Sequence, residues 1–186
     1  MILRAYKSSD APVIVSWITS EEEHYKWSAT IYNKYPITGD DVDANYAKQL
    51  EAGRFFPLMA VEDDKPVGHF FIKYPVPEDD TYARIGLVVV DPSSRGKHYG
   101  REMLRLGLEY AKNELHVSRV SLGVFDNNPN ARRCYESLGF KEFGDGHICE
   151  MPVGTWHCTD MEILSDISCG SNAGYYPRSC FCTAWA

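Results

Sequence analysis

The residues that carry the clearest chemistry lie in the stretch VDPSSRGKHYGREML, which spans residues 90–104 and leads from an apolar segment into a helical pattern. Gly96 and Gly100 allow a ligand to approach the backbone closely, while Arg95 and Lys97 add positive charge. At the start of a helix, exposed N–H groups and the helix dipole favour an anion. Short glycine motifs are common, so this loop alone is equally consistent with a pyrophosphate site and with a solvated turn.

A second stretch, FDNNPNARRCYESLGFKEFG at residues 125–144, predicts a helix that begins near Pro129 and ends at Gly139. Asn128 and Tyr135 are two helical turns apart and therefore share one face. A tyrosine hydroxyl can donate a proton. Taken alone, this pattern favours an aromatic residue that packs near the helix end.

Together the two stretches resemble the acetyl-CoA motifs of the GNAT superfamily of N-acetyltransferases. The family loop, Arg/Gln-x-x-Gly-x-Gly/Ala, is matched by Arg95, His98 and Gly100, with His98 departing from the usual glycine. The later motif, Asn-x-x-Ala-x-x-x-Tyr-x-x-x-Gly-Phe, is matched without a gap by Asn128, Ala131, Tyr135, Gly139 and Phe140. The resemblance is strong over residues 85–143 and looser from residue 1 onward.

The resemblance implies an acetyl-CoA-dependent N-acetyltransferase that acetylates a primary amine of a small molecule or peptide. It implies that Tyr135 is the general acid for the departing thiolate, and that two splayed strands at residues 83–90 and 119–125 form the cofactor cleft. A backbone donor does not require glycine unless φ is positive or a side chain would strike the ligand, so His98 can be tolerated. If residue 98 is already in the first turn of the helix, its side chain can point away from the phosphates. The residues implied to bind the cofactor are Leu87, Val88, Val89, Arg95, Gly96, Lys97, His98, Tyr99, Gly100, Arg101, Asn128, Ala131 and Tyr135.

The general base is open, because the strand before the loop lacks the glutamate that many family members carry there. Glu62, His69, Asp126 and ordered water are the alternatives, although a lone histidine among apolar residues is more often a core residue. The missing glutamate also leaves open a non-catalytic acetyl-CoA-binding regulatory module on the same fold. A different acyl donor or an oxygen acceptor is a further alternative. A protein that uses the loop for nucleotides is disfavoured, because neither common nucleotide-binding glycine motif is present.

The acceptor amine is expected to meet residues 20–38, a segment predicted to be irregular. Its carboxylates and aromatic rings suit a cation through charge and cation–π contacts. A solvated acidic helix end with core aromatics is the simpler alternative. The acidic and aromatic residues concerned are Glu21, Glu22, Glu23, Tyr25, Trp27 and Tyr32.

The remaining patterns predict the elements that position these residues. A short strand and a helix with Pro12 in its first turn open the chain, and a helix capped by Thr38 ends near Gly53. Residues 55–74 predict a hairpin with the turn EDDKP. An apolar strand, an amphipathic helix at 99–115, a strand and a helix follow. This order indicates an α/β (α+β) fold with a mixed central sheet flanked by helices.

Length and composition set the outer limits. The chain has 186 residues and a net charge of −7, which argues against a nucleic-acid partner. No apolar run approaches the ~20 residues of a membrane span, and no secretory signal is visible, so we expect a cytoplasmic location.

We expect a single domain over residues 1–163 and a C-terminal extension of unclear role at 164–186. The resemblance leaves a homodimer open. The six cysteines lack paired metal-ligand spacing, so no metal is expected.

Overall fold

The computed structural model describes residues 1–164, which form an eight-stranded mixed sheet with helices on both faces. The strand order is β1-β2-β3-β4-β5-β8-β6, and β7 pairs with β8. The strands are β1 (Ile2–Ala5), β2 (Phe55–Glu62), β3 (Lys65–Lys73), β4 (Tyr82–Val90), β5 (Arg119–Phe125), β6 (Lys141–Glu142), β7 (His147–Met151) and β8 (Gly154–Leu164). The α-helices are α1 (Ala11–Ser16), α2 (Glu21–Ser28), α3 (Gly39–Glu51), α4 (Tyr99–Asn113) and α5 (Pro129–Ser137).

The mixed sheet follows from its connections. β4 and β5 are parallel and are joined through α4, as a parallel pair requires, and every other strand pair is antiparallel. The predicted hairpin is confirmed as β2 and β3. Its turn residues Asp63 and Asp64 both have positive φ, which matches the twist of a tight hairpin.

Two cores lie on opposite faces of the sheet. On one face, α4 and α5 cover a cluster that includes Phe70, Ile85, Leu104 and Leu122; on the other, α1 and α3 cover a cluster that includes Ile14, Tyr46, Met59 and Leu87. The apolar run of β4 is therefore buried from both sides, as predicted. No helix in residues 1–164 is long and apolar enough to cross a membrane.

Two helices depart from the sequence predictions. The segment after α1 was expected to be irregular, yet residues 21–28 form α2, because the Ser20 side chain accepts from the Glu23 N–H at 3.2 Å and three acids occupy the first turn. Helix α4 begins at Tyr99 as predicted but ends at Asn113, two residues early. The Thr38 cap is confirmed, since its hydroxyl accepts from the Asp41 N–H. The predicted C-terminal extension at 164–186 lies, from residue 165 onward, outside the residues that the structure describes.

Candidate active site

Strands β4 and β5 separate after a short paired segment. Their register covers only residues 82–84 against 119–121, so the strands are splayed beyond Arg84. The pairing of β4 with β3 is also interrupted, because Phe71 pairs with Gly86 and His69 with Val89. Leu87 and Val88 therefore have no registered partner in either neighbouring strand, and both residues lie at the opening between the strands.

A bulge at Leu87 explains this interruption. Leu87 has φ +50, a left-handed conformation that is unusual for a leucine. Ile85 and Leu87 would share one face in a regular strand, yet they belong to the two opposite cores. The bulge therefore reverses the strand alternation at the point where β5 moves away.

A cavity of about 400 Å³ fills the gap between the splayed strands. One wall is the end of β4 and the other is the end of β5 with one face of α5, while α2 and the first turn of α4 close the remaining sides. From the sequence-predicted set, the cavity is lined by Leu87, Val88, Val89, Arg95, Gly100, Asn128, Ala131 and Tyr135. The other predicted cofactor residues, Gly96, Lys97, His98, Tyr99 and Arg101, lie outside its lining.

The loop before α4 is shaped by two left-handed residues. Gly96 has φ +78, and His98, the N-cap of α4, has φ +62. His98 therefore precedes the first helical turn and has a positive φ, which is the case in which the position favours glycine. His98 adopts the conformation for which the family motif uses glycine, at a cost of about 1–2 kcal/mol for a residue with a Cβ.

Gly100 lies in the first turn of α4 and on the cavity wall. A Cβ there would lie 3.4 Å from Val90 and 4.0 Å from Cys134, so the packing itself tolerates a small side chain. Gly100 thus marks the point where the first turn of a fifteen-residue helix, with its unpaired N–H groups, meets the cavity. This end of the cavity can hold an anion.

Helix α5 carries the later motif. Asn128 is its N-cap, with the Oδ1 atom accepting from the Ala131 N–H at 3.3 Å, and Pro129 occupies the first helical position. Two turns later, Tyr135 is 6% exposed and packs beside Phe140, with ring centroids 6.2 Å apart. Asn128 and Tyr135 therefore line the same cavity from one helix face.

The Tyr135 hydroxyl is a buried proton donor. Burial, followed by the nearby Cys134 and Cys158, raises the pKa of Tyr135 above its ordinary value, so the phenol keeps its proton at neutral pH. Within residues 1–164, no group is hydrogen-bonded to this hydroxyl. The proton is thus available to a group inside the cavity.

The three side chains considered as general base lie elsewhere. Glu62 pairs with the N-terminal amino group of Met1 at the end of β2, away from the cavity. His69 is fully buried, with Nε2 2.6 Å from the Tyr46 hydroxyl, and burial lowers its pKa to about 3. Asp126 follows β5, but its Oδ2 lies 3.0 Å from His157 Nδ1 and the residue does not line the cavity.

Helix α2 brings part of the expected acceptor segment to the cavity. Glu23 and Trp27, one turn apart, line it, whereas Glu21, Glu22, Tyr25 and Tyr32 do not. The buried indole Nε1 of Trp27 has no hydrogen-bond partner within the described residues. Glu23 Oε1 accepts from Arg95 Nη1 at 2.9 Å, which joins α2 to the loop before α4.

Several lining residues were missed by the sequence reasoning. Asn130 and Cys134 lie one turn apart on α5, next to the motif residues, so helical periodicity identifies them once the helix is known. Ile18 and Lys26 come from the α1–α2 region, where no motif exists. Phe125 ends β5. Across residues 1–164, no three histidine, cysteine or acidic side chains are grouped to hold a metal ion.

Comparison with known proteins places this site in a family. Residues 17–140 match the acetyltransferase (GNAT) family. A UPF0039 protein of Schizosaccharomyces pombe is 37% identical over 73 residues, which are 39% of this chain and 47% of that protein. A spermidine N(1)-acetyltransferase of Vibrio cholerae is 32% identical over 63 residues, 34% of this chain and 35% of that protein. The matched segments thus span less than half the length of these relatives.

The fold agrees with a solved structure over most of its length. A Vibrio cholerae spermidine N-acetyltransferase in complex with CoA and spermine superposes with a TM-score of 0.74 and 18% identity. The superposition covers 88% of this chain and 95% of that chain. The predicted mixed sheet flanked by helices is therefore confirmed.

Proposed function

The chain belongs to the GNAT acetyltransferase family, and from this premise we propose that it is an acetyl-CoA-dependent N-acetyltransferase acting on a primary amine of a small molecule or peptide. One observation carries the proposal. The splayed strands open, at the Leu87 bulge, onto a single cavity that reaches both the N-terminus of α4 and the Tyr135 side chain.

The residues present suit acetyl-CoA. One end of the cavity suits a pyrophosphate, because it is formed by the N-terminus of α4 with Gly100 and by the guanidinium of Arg95. The main chain of Leu87 and Val88 is free of strand pairing and suits the amide groups of a pantetheine arm, which Asn128 faces from α5. The apolar side chains between these points exclude water.

The chain's contribution to chemistry is orientation and one proton. Acetyl-CoA supplies an acetyl thioester with a thiolate leaving group. We assign to the main chain of Leu87 and Val88, which lacks a strand partner, the donation of a hydrogen bond to a carbonyl oxygen. Tyr135 holds a proton at its hydroxyl for the departing sulfur, and its raised pKa keeps that proton in place at neutral pH.

Deprotonation of the amine is assigned to water. Glu62, His69 and Asp126 do not line the cavity, so of the alternatives that the sequence offers only solvent reaches it. The carboxylate of Glu23 does line the cavity, but it lies beside Arg95, at the end assigned to the pyrophosphate, so we do not assign it to the reacting amine. A protonated amine therefore loses its proton to solvent before it enters the apolar part of the site.

A cationic amine is the acceptor class we favour. The α2 wall presents Glu23 beside the Trp27 ring, a combination that binds ammonium groups through charge and cation–π contacts. Lys26 also lines this wall, but its Nζ lies 2.7 Å from Glu22 Oε1, so its charge is balanced. The name of the Vibrio cholerae relative, a spermidine N(1)-acetyltransferase, supports the same class.

The cofactor site is tested by two substitutions at Gly100. Gly100→Asp places a carboxylate at the start of α4, where it favours the helix but repels a pyrophosphate. We expect an unchanged or higher melting temperature together with at least tenfold weaker CoA binding by calorimetry. Gly100→Ala is the size control and should bind CoA nearly as the wild type does. Equal CoA affinity in all three proteins would contradict the site.

Turnover separates the enzyme from a regulatory module on the same fold. Acetyl-CoA should release free thiol only when an amine is present, and polyamines, aminoglycosides, amino acids and peptide N-termini form a suitable panel. A protein that binds CoA tightly but releases no thiol with any amine would be a binding module instead.

A further inference from the structure

The ion pair between Glu23 and Arg95 joins the two walls of the cavity that serve different substrates. Glu23 belongs to α2, the proposed acceptor wall, and Arg95 belongs to the loop proposed to hold the pyrophosphate. Arg95 Nη1 donates to Glu23 Oε1 at 2.9 Å across the cleft. The Glu23 side chain is 33% exposed and the Arg95 side chain 48% exposed, so both remain accessible to ligands.

The Glu23 carboxylate is held in place by a second set of contacts. Its other oxygen, Oε2, accepts from the Thr19 hydroxyl at 2.6 Å and from the Thr19 N–H at 3.1 Å. These bonds stay within α2 and its N-terminal flank and do not involve Arg95. If Arg95 moves away, Oε2 stays anchored and Oε1 still faces the cavity.

A pyrophosphate competes for the same guanidinium. Arg95 has one carboxylate partner here, whereas a diphosphate offers several charged oxygens next to the α4 N-terminus. Burial by itself raises the pKa of Glu23, but the bonds from Thr19 and Arg95 outweigh this and lower it, so the carboxylate is ionised at neutral pH. Once released by Arg95, it is an anchored negative charge without a cation.

We infer that Glu23 is an exchange carboxylate: its Oε1 binds Arg95, gives Arg95 up to the cofactor pyrophosphate, and then binds an ammonium group of the acceptor. The inference rests on the proposed function. Because Arg95 marks the pyrophosphate end of the cavity, the ammonium at Glu23 is not the one that is acetylated. The acceptor therefore carries at least two amines, and the two substrates bind cooperatively.

The first test measures CoA binding by calorimetry in the wild type, Glu23→Gln and Glu21→Gln. Glu23→Gln keeps an amide oxygen for Thr19 but no longer competes for Arg95. We expect it to bind CoA about twofold to fivefold more tightly at low salt, the range of an exposed ion pair, and to lose most of this gain at high salt. Glu21→Gln is the matched control, because Glu21 is an exposed first-turn acid of the same helix that does not line the cavity, and it should bind as the wild type does.

The second test compares a linear diamine with a monoamine of the same chain length. Glu23→Gln should lower kcat/KM for the diamine about tenfold, through KM, and leave the monoamine within about twofold of the wild type.

The outcomes distinguish the possible failures. If the wild type binds CoA but Glu23→Gln binds it equally or less tightly, Glu23 is only part of the α2 cap and the exchange is refuted. If both amines are affected equally, the second-amine assignment is refuted. If the wild type binds no CoA at all, the proposed function fails together with the inference. Circular dichroism melting of Glu23→Gln establishes that the variant is folded.

Discussion

Replacing Tyr135 with phenylalanine is the most informative single substitution in this protein. The change removes one oxygen atom and keeps the ring, which is 6% exposed and packs beside Phe140. Within residues 1–164, no group is hydrogen-bonded to that hydroxyl, so its loss leaves no buried polar partner unsatisfied. We expect the free energy of unfolding to change by less than about 1 kcal/mol.

The effect on catalysis should be much larger than the effect on stability. A positioned general acid contributes about 10²- to 10⁴-fold to the rate, or roughly 3–5 kcal/mol of activation free energy. Tyr135→Phe should therefore lower kcat at least about a hundredfold, while the CoA dissociation constant stays within about threefold of the wild-type value. Thiol release and calorimetry measure the two quantities.

The pH profile gives an independent check on the same role. Because burial raises the pKa of Tyr135, its hydroxyl remains protonated from about pH 6 to about pH 9, and the rate does not fall through loss of this proton. The wild-type rate should rise with pH as the acceptor amine deprotonates, and the variant should follow the same curve at a lower level.

A matched control removes a tyrosine hydroxyl elsewhere. The Tyr74 hydroxyl donates to the Leu115 carbonyl at 3.1 Å, and Tyr74 does not line the cavity. Tyr74→Phe should lower the melting temperature by a few degrees and leave kcat unchanged. If Tyr135→Phe keeps kcat within about threefold of the wild type, or loses CoA affinity in parallel with kcat, Tyr135 is not the acid.

Three further predictions concern the frame around the site. His98→Gly should unfold about 2–4 °C above His98→Ala, because only glycine relieves the left-handed N-cap at φ +62; equal melting temperatures would rule out that conformation. Burial lowers the pKa of His69 to about 3 in the folded protein, so only the unfolded chain protonates this histidine as the pH falls through about 6.5. The free energy of unfolding measured in urea should therefore be ~2 kcal/mol lower at pH 5 than at pH 8 because of His69. A His69→Gln protein should lose less over that range, and parallel curves would refute the assignment. Gly86→Ala places a Cβ 2.3 Å from the Phe71 ring and should lower the free energy of unfolding in urea by about 1–3 kcal/mol. Adding Phe71→Leu should restore part of that free energy, and a double variant whose loss equals the sum of the two single losses would contradict the contact.

Much of the fold was accessible from the sequence because local patterns there agree with the tertiary structure. The hairpin turn, the Thr38 cap and the amphipathic face of α4 each depend on residue types within a few positions. The spacing of Asn128 and Tyr135 places them on one helix face wherever that helix packs. These features need no knowledge of distant partners.

The rest depends on contacts that the sequence pattern does not encode. Every residue from Ile85 to Val90 except Gly86 is apolar, so the polar–apolar pattern of the strand does not show the bulge at Leu87, where its side chains change faces. Three consecutive glutamates look equivalent, and only the phase of α2, set by packing of its aromatics, selects Glu23 for the cavity. His98 adopts a left-handed conformation that glycine favours, and its residue type does not predict that conformation.

The central claim is tested most directly by the products of one reaction. The protein is incubated with acetyl-CoA and spermidine, and with the other amines of the panel, and the mixture is examined by mass spectrometry beside a thiol assay. We predict an amine that has gained one acetyl group in the same amount as the CoA thiol released, with at least a hundredfold less of both from Tyr135→Phe. Absence of any acetylated amine across the panel, with CoA bound in the cavity, would contradict the claim that this protein is an N-acetyltransferase.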